Sequence, residues 1–326
     1  MNPAPPALPE IDGEACVHAL APYASCRACV EACPAGALVL DDDSLGIETA
    51  RCTACGLCVP ACPRGAIALA RPVESVEGRP HRQAFAACSR TAGSLPGPAC
   101  LQALGARDLD ALAEAGVAQL MVTSADCRGC VTGADPLALG RAAEAHRIIR
   151  HSRGQPAVTL AWRDLAAFRR ARSRALEAAG SVDQARRRLL RVMERPLPEA
   201  PPQGAPVAAI SPVIDAAVCT GCDACARICP DGALRLERQG APRYAVDPVH
   251  CTGCRLCIDV CESRAIRLVP LGPGAPASVP LSAFRCRACG VPGHRPSAAG
   301  SASADLCRIC AVTGHHSKLF QVFDAS

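Results

Sequence analysis

The sequence has 326 residues, enough for two or three domains, and 24 of them are cysteine while Phe, Trp and Tyr together make up 2%. The formal charge of +5 is modest, and much of the arginine lies in one stretch, residues 163–195, so the balance gives no case for nucleic-acid binding. Residues 1–15 lack a basic region followed by an apolar one, and no apolar run approaches the ~18 residues that span a bilayer. The expectation is a cytoplasmic protein with no membrane span, whose reduced thiols bind metal and do not pair as disulfides.

The first eight cysteines define a module over residues 1–78. Cys52, Cys55, Cys58 and Cys62, followed by Pro63, follow C-x2-C-x2-C-x3-C-P. Cys26, Cys29 and Cys33, followed by Pro34, repeat the pattern with Tyr23 at its leading position. A [4Fe–4S] cube needs four converging thiolates: three cysteines spaced by two wrap one side, and the fourth serves the neighbouring cluster. Cys52, Cys55, Cys58 and Cys33 are thus expected around one cluster. For the other, Cys16 is expected to loop back and join Cys26, Cys29 and Cys62. The alternatives are a [3Fe–4S] cluster, water or another ligand on one iron, or a lost cluster. Strand-like runs at 37–40 and 46–49 flank an Asp-rich turn and predict a hairpin.

Residues 79–160 read as an α/β domain. Strands are expected at 83–87, 117–123 and 157–160, and helices at 101–115 and 136–150. This β-α-β-α-β order places its loops on one sheet edge, which would bring Cys88 and Cys100 to Cys127 and Cys130. The set is read as a fifth metal site, with a redox dithiol at Cys127/Cys130 or inert buried thiols as alternatives. Residues 161–195 predict two Arg-rich helices broken at Gly180, the second opened by a capping box at 181–184. Arg186, Arg187, Arg188 and Arg191 form either a solvated face or a docking surface for an acidic redox partner. A Pro-rich linker is expected over 196–212.

A second module follows over 213–270. Cys219, Cys222, Cys225 and Cys229 precede Pro230, and Cys251, Cys254, Cys257 and Cys261 repeat the spacing with Glu262 in place of proline. By the same rule, Cys219, Cys222, Cys225 and Cys261 form one set, and Cys251, Cys254, Cys257 and Cys229 the other. Runs at 233–238 and 243–246 predict a hairpin. CRACVEACPAGALVL (26–40) matches CDACARICPDGALRL (222–236), so the module is an internal repeat. A second Pro-rich stretch, 270–280, reads as a linker to residues 281–326. There, Cys286-x2-Cys289 and Cys307-x2-Cys310 have the spacing of a zinc ribbon, with another iron–sulfur centre as the rival reading. His294, His315 and His316 are expected to be solvated.

Both modules resemble the bacterial two-cluster [4Fe–4S] ferredoxin family. The middle spacing, C-x11-C-x26-C-x2-C, loosely resembles thioredoxin-like [2Fe–2S] ferredoxins and the iron–sulfur delta subunits of some hydrogenases. The implied fold is α+β: two ferredoxin-like dicluster modules flanking an α/β domain, with a zinc-ribbon-like segment at the end. The implied function is electron transfer through four [4Fe–4S] clusters, with room for a fifth iron–sulfur cluster and a structural zinc. The resemblance implies a redox partner protein such as a molybdopterin oxidoreductase or a hydrogenase. The rival reading is a redox enzyme or sensor with a reactive cluster or dithiol in the middle domain.

Overall fold

The computed structural model describes residues 7–41, 44–77, 81–92, 95–127, 129–130, 132–180, 205–298 and 306–313. The chain divides into two compact units, 1–207 and 208–326.

Unit 1 opens with four short strands, β1 (Glu10–Ile11), β2 (Leu38–Asp41), β3 (Ser44–Ile47) and β4 (Ile67–Ala68). Three single-turn helices accompany them, α1 (Val17–Leu20), α2 (Ala28–Glu31) and α3 (Cys58–Ala61). β1 pairs antiparallel with β4, and β2 with β3, with Leu38 opposite Ile47. Helices this short have no stability of their own. They form because their apolar side closes on one small core of Leu38, Ala66 and Ile67 with Cys29, Cys58 and Cys62. Cysteine sulfur fills the space that aromatic rings fill elsewhere.

The next sheet has the order β5 (Glu74–Val76), β6 (Arg82–Ala87), β7 (Val117–Thr123), β8 (Thr159–Trp162). β6, β7 and β8 are parallel, and β5 adds an antiparallel edge. Residues 84–87 are fully buried because helices cover both faces. One face carries Ala84, Ala86, Leu120 and Val122 against Leu109 and Leu139. The other sets Phe85 against Phe168, ring centroids 5.7 Å apart and edge-on.

Two expectations need correcting here. The helix predicted over 101–115 is split into a 3₁₀ turn at Leu101–Ala103 and a helix at Ala106–Glu114. Gly105 stays extended between them, and its N–H donates to the Asp108 carboxylate at 2.7 Å. The Arg-rich stretch is not a separate segment from residue 161: the helix Leu165–Gly180 is the third layer of this α/β domain. Leu165, Phe168, Ala171, Ala175 and Ala179 recur at helical spacing and pack on the sheet. Arg172 reinforces the contact by donating to Glu74 at 2.7 Å. The opposite face is covered by Ala106–Glu114 and Ala138–Ser152, and the single turn Ser89–Ala92 follows β6. The second Arg-rich helix, with Arg186, Arg187, Arg188 and Arg191, lies outside the described residues, as do His315 and His316.

Unit 2 repeats the module of unit 1. β9 (Ile210–Ile214) pairs with β12 (Ile266–Pro270), as β1 does with β4. β10 (Leu234–Glu237) pairs with β11 (Arg243–Val246), as β2 does with β3. The core again mixes sulfur with aliphatics: Cys225, Cys257, Leu234, Val246 and Ile266. Both expected linkers end in strands. Pro212 lies in β9 opposite Leu268, and Pro280 in β13 (Ala277–Arg285) opposite Arg243. Each proline stands where one ladder partner is absent, Pro212 in a two-stranded sheet and Pro280 where the pairing of β13 passes from β11 to β14 (Pro292–Pro296), which is why these stretches read as linker but fold as strand. β13 continues into β14, so the last sheet runs β10-β11-β13-β14 and the C-terminal hairpin is built onto the module. Among the described residues no helix is long and apolar enough to cross a membrane.

Candidate metal centres

All 24 cysteines are free thiols. In the first module they gather in two groups. Burial pushes the Cys29 thiol up to about 11, and neighbouring Cys62, Cys26 and Cys16 add to the shift. Burial pushes Cys58 up to about 12, with Cys55 and Cys33 adding. The fourth cysteine of each motif thus sits with the three leading cysteines of the other motif. Cys16, at the N-cap of α1, is brought to Cys29 and Cys62. His18 fixes the same corner, with its Nε2 2.8 Å from the Cys26 carbonyl oxygen. Tyr23, at the position where the motif lacks its leading cysteine, is 56% exposed.

The second module repeats the interleaving. Cys225 is pushed up to about 12 by burial and by Cys219, Cys222 and Cys261. Cys257 is pushed up to about 12 by burial and by Cys254, Cys251 and Cys229. Each set lines its own pocket. Thiols this buried and this crowded stay protonated unless a cation replaces their protons. The donor chemistry therefore fits an iron–sulfur cluster, whose irons would hold these four sulfurs as thiolates and supply one-electron redox chemistry.

A feature not anticipated from the sequence is the turn after the fourth cysteine. Residues three positions on, Gly36, Gly65, Gly232 and Arg264, all have left-handed backbones. Each donates its N–H back to the cysteine carbonyl. In three of the four turns the next N–H points at the sulfur: Ala37 to Cys33 at 3.3 Å, Ala66 to Cys62 at 3.2 Å and Ala265 to Cys261 at 3.2 Å. Hydrogen bonds to sulfur stabilise the thiolate and raise cluster potential. The recurring C-P-x-G-A string at Cys33, Cys62 and Cys229 was the available signal; Arg264 adopts the same conformation at a steric cost glycine avoids.

In the α/β domain, Cys88, Cys100, Cys127 and Cys130 line one cavity at the C-terminal edge of the parallel strands. Burial pushes Cys100 up to about 11, and Cys88, Cys55 and Cys127 add to it. Cys130 moves the other way. The Thr132 hydroxyl, 3.2 Å away, and N–H hold its thiol below the usual range, with Arg90 at 3.7 Å assisting. Gln102 Nε2 lies 4.0 Å from Cys127, while its Oε1 accepts from the Leu139 N–H at 2.9 Å. Cys55 belongs to the first module, so this cavity adjoins that module directly. The contact is built by Arg71, which donates to the Ala103 carbonyl at 2.7 Å and pairs with Asp108, and by Arg107, which donates to the Pro63 carbonyl.

The last four cysteines differ in kind. The Sγ atoms of Cys286, Cys289, Cys307 and Cys310 lie within 4.8 Å of one another, and those of Cys289 and Cys307 are 3.7 Å apart. Tetrahedral zinc with Zn–S bonds of ~2.3 Å spaces its sulfurs by ~3.8 Å. The set fits one small cation better than a cube, whose irons would spread the sulfurs farther. Hydrogen bonds, first from the Cys307 N–H at 3.2 Å, hold the Cys286 thiol below its usual range. His294 is not solvated as expected: its side chain is 17% exposed, and its Nε2 lies 2.6 Å from Asp223 Oδ1.

Comparison with known protein families bears directly on the two modules. A model described as a 4Fe-4S dicluster domain matches residues 24–67, and another of the same description matches residues 218–265. The first match begins after Cys16, and neither reaches the middle or C-terminal quartets. No curated protein matches the chain.

Proposed function

We propose that this chain, which carries two 4Fe–4S dicluster domains and by them implies four [4Fe–4S] clusters, passes single electrons to or from a larger oxidoreductase. The observation that supports this most is the interleaving of the cysteines. Each module places two quartets in one core, so an electron entering one cluster has another beside it. Cys16, Cys26, Cys29 and Cys62 would hold one cluster, and Cys33, Cys52, Cys55 and Cys58 the next. Cys219, Cys222, Cys225 and Cys261, with Cys229, Cys251, Cys254 and Cys257, would hold the second pair. Cys88, Cys100, Cys127 and Cys130 would hold a fifth iron–sulfur centre, which the neighbouring Cys55 and Cys100 join in series with the first module. Cys286, Cys289, Cys307 and Cys310 would hold a structural zinc.

The protein's part is to exclude water from the sulfurs, to donate N–H groups to them, and to present the wire to its partner. Arg163, Arg169, Arg170 and Arg174 are exposed along one stretch of unit 1. They suit docking of an acidic redox protein, a molybdopterin oxidoreductase or a hydrogenase among the candidates, and such binding weakens with salt.

A second reading rests on Cys130, which shares its cavity with Cys127 and whose thiol is held below the usual range by Thr132 first, with Arg90 assisting. On that reading the α/β domain is a redox enzyme or sensor. One titration separates the two. Anaerobic full-length protein is reduced stepwise with a calibrated one-electron reductant while the cluster spectra are followed. The carrier reading expects about four electrons taken up reversibly by the two modules, and about one more by the middle centre. Fewer than two reversible electrons, or spectral change at one centre only on adding substrate, would reject it.

A further inference from the structure

Within each cysteine motif the two modules align position for position, and three of the second module's departures from the first lie where the C-terminal hairpin touches it. Ser25 of the first module corresponds to Gly221 of the second, Arg27 to Asp223, and Pro63 to Glu262. Gly221 has φ +74°, and a Cβ there would sit 2.3 Å from the His294 carbonyl oxygen and 3.1 Å from the Arg295 Cα. Only glycine admits the β14 backbone at this point. Asp223 has a left-handed backbone, φ +63°, whereas Arg27 lies at φ −128°. Its carboxylate side chain is 7% exposed, receives the Tyr244 hydroxyl at 2.7 Å and lies 2.6 Å from His294 Nε2. Tyr244 also accepts the Asp223 N–H at 3.3 Å, and its ring meets His294 edge-on. Arg227 and Arg238 lie 3.6 and 3.7 Å from the same carboxylate. Glu262, directly after Cys261, pairs with Arg308.

His294 and Arg295 lie between the two C-x2-C pairs of the last quartet, and Arg308 lies within the second pair. The three departures therefore share one partner. A non-glycine residue in the left-handed region costs energy and persists only where its surroundings hold it. Arg255 takes the same conformation at the equivalent place of the other motif, so what the hairpin adds at Asp223 is the side-chain set of Tyr244, Asp223 and His294.

We propose that the four-cysteine ribbon is a clamp on the second module. It holds the Cys219–Cys225 loop and the Cys261 turn closed, so that metal in the ribbon governs one cluster of the four, the one held by Cys219, Cys222, Cys225 and Cys261. Exposure of the sulfurs and their hydrogen bonds set cluster potential and durability, so a loosened loop changes both. The inference rests on the reading of that quartet as a cluster site and of the ribbon as a zinc site.

The test uses full-length protein purified without oxygen, as wild type, Cys307→Ser and the double variant His294→Ala/Arg308→Ala. Zinc and iron are counted, hydrogen exchange is followed at the amides of residues 219–225, and each cluster's midpoint is resolved by a spectroscopic redox titration. The double variant keeps its zinc, exchanges those amides several-fold faster and shifts the midpoint of a single cluster. The same cluster then decays several-fold faster in air, while the first module's two are unchanged. Cys307→Ser reproduces these effects with its zinc lost. Zinc and iron present in wild type, with exchange and every midpoint unaltered in both variants, overturn the clamp alone. A wild type with no zinc, or with no iron in the second module, overturns the clamp together with the reading beneath it.

Discussion

Replacing Cys16 by serine asks whether the N-terminal loop supplies a ligand. Cys16 stands at the N-cap of α1 with extended backbone, φ −69° and ψ 139°, and makes no capping hydrogen bond. Serine is favoured at this position, where a side-chain cap contributes about 0.5–2 kcal/mol. The fold should therefore be no less stable, and any change in iron reports coordination. Cys26, Cys29 and Cys62 remain in place, so the site loses one iron if it survives as a three-iron cluster and four if it does not. From about 16 iron per chain in the modules, the expected count is about 12 to 15. The neighbouring Cys33, Cys52, Cys55 and Cys58 keep their cluster. Iron and acid-labile sulfide per chain, with the spectrum of the reduced protein, read this directly. Tyr23→Phe is the control: this exposed side chain should leave the count unchanged. Full iron and an unaltered spectrum in Cys16→Ser would refute the reasoning, and so would iron loss in Tyr23→Phe.

Three further outcomes are expected. Cys100→Ser should remove only the iron of the middle centre, about two for a [2Fe–2S] and four for a [4Fe–4S], as counted against wild type; no loss would leave that quartet metal-free. His146 is fully buried and pushed below its ordinary pKa by burial, with Asp110 opposing; its Nε2 accepts the Val158 N–H at 3.1 Å. The unfolded chain then takes up the proton first, so stability is intact above about pH 6.5 and falls by up to about 1.4 kcal/mol per pH unit below it. The urea midpoint of wild type should drop with pH relative to His146→Gln; parallel curves would contradict this. A chelator should withdraw about one zinc per chain while the module iron stays; zinc absent from the start, with extra iron in its place, would make the last quartet a cluster site.

The two dicluster domains were legible because ligand spacing is a local property. The C-x2-C-x2-C-x3-C strings and the two C-x2-C pairs need only a few residues of chain to state their geometry. The strand Val117–Thr123 was equally plain, since a run of seven mostly apolar residues fits a parallel strand covered on both sides. The hairpin strands fell within one or two residues of their expected bounds. What the sequence concealed depends on distant partners. Glu74–Val76 is a strand only because Arg82–Ala87 lies beside it, and Leu165–Gly180 joins the α/β domain through Phe168 on Phe85. Pro212 and Pro280 disguised strands as linkers. His294 looked solvated because Asp223, which holds it, lies 71 residues earlier in the chain. The place of Cys16 was inferred from a gap in a motif, and the structure sets it beside Cys29.

The most direct test of the account is the metal content of the full-length protein purified without oxygen: iron, acid-labile sulfide and zinc per chain. The account predicts about 16 iron with matching sulfide from the two modules, about two to four more from the middle centre, and one zinc. Iron near zero, with the thiols paired as disulfides or zinc in every site, would contradict it.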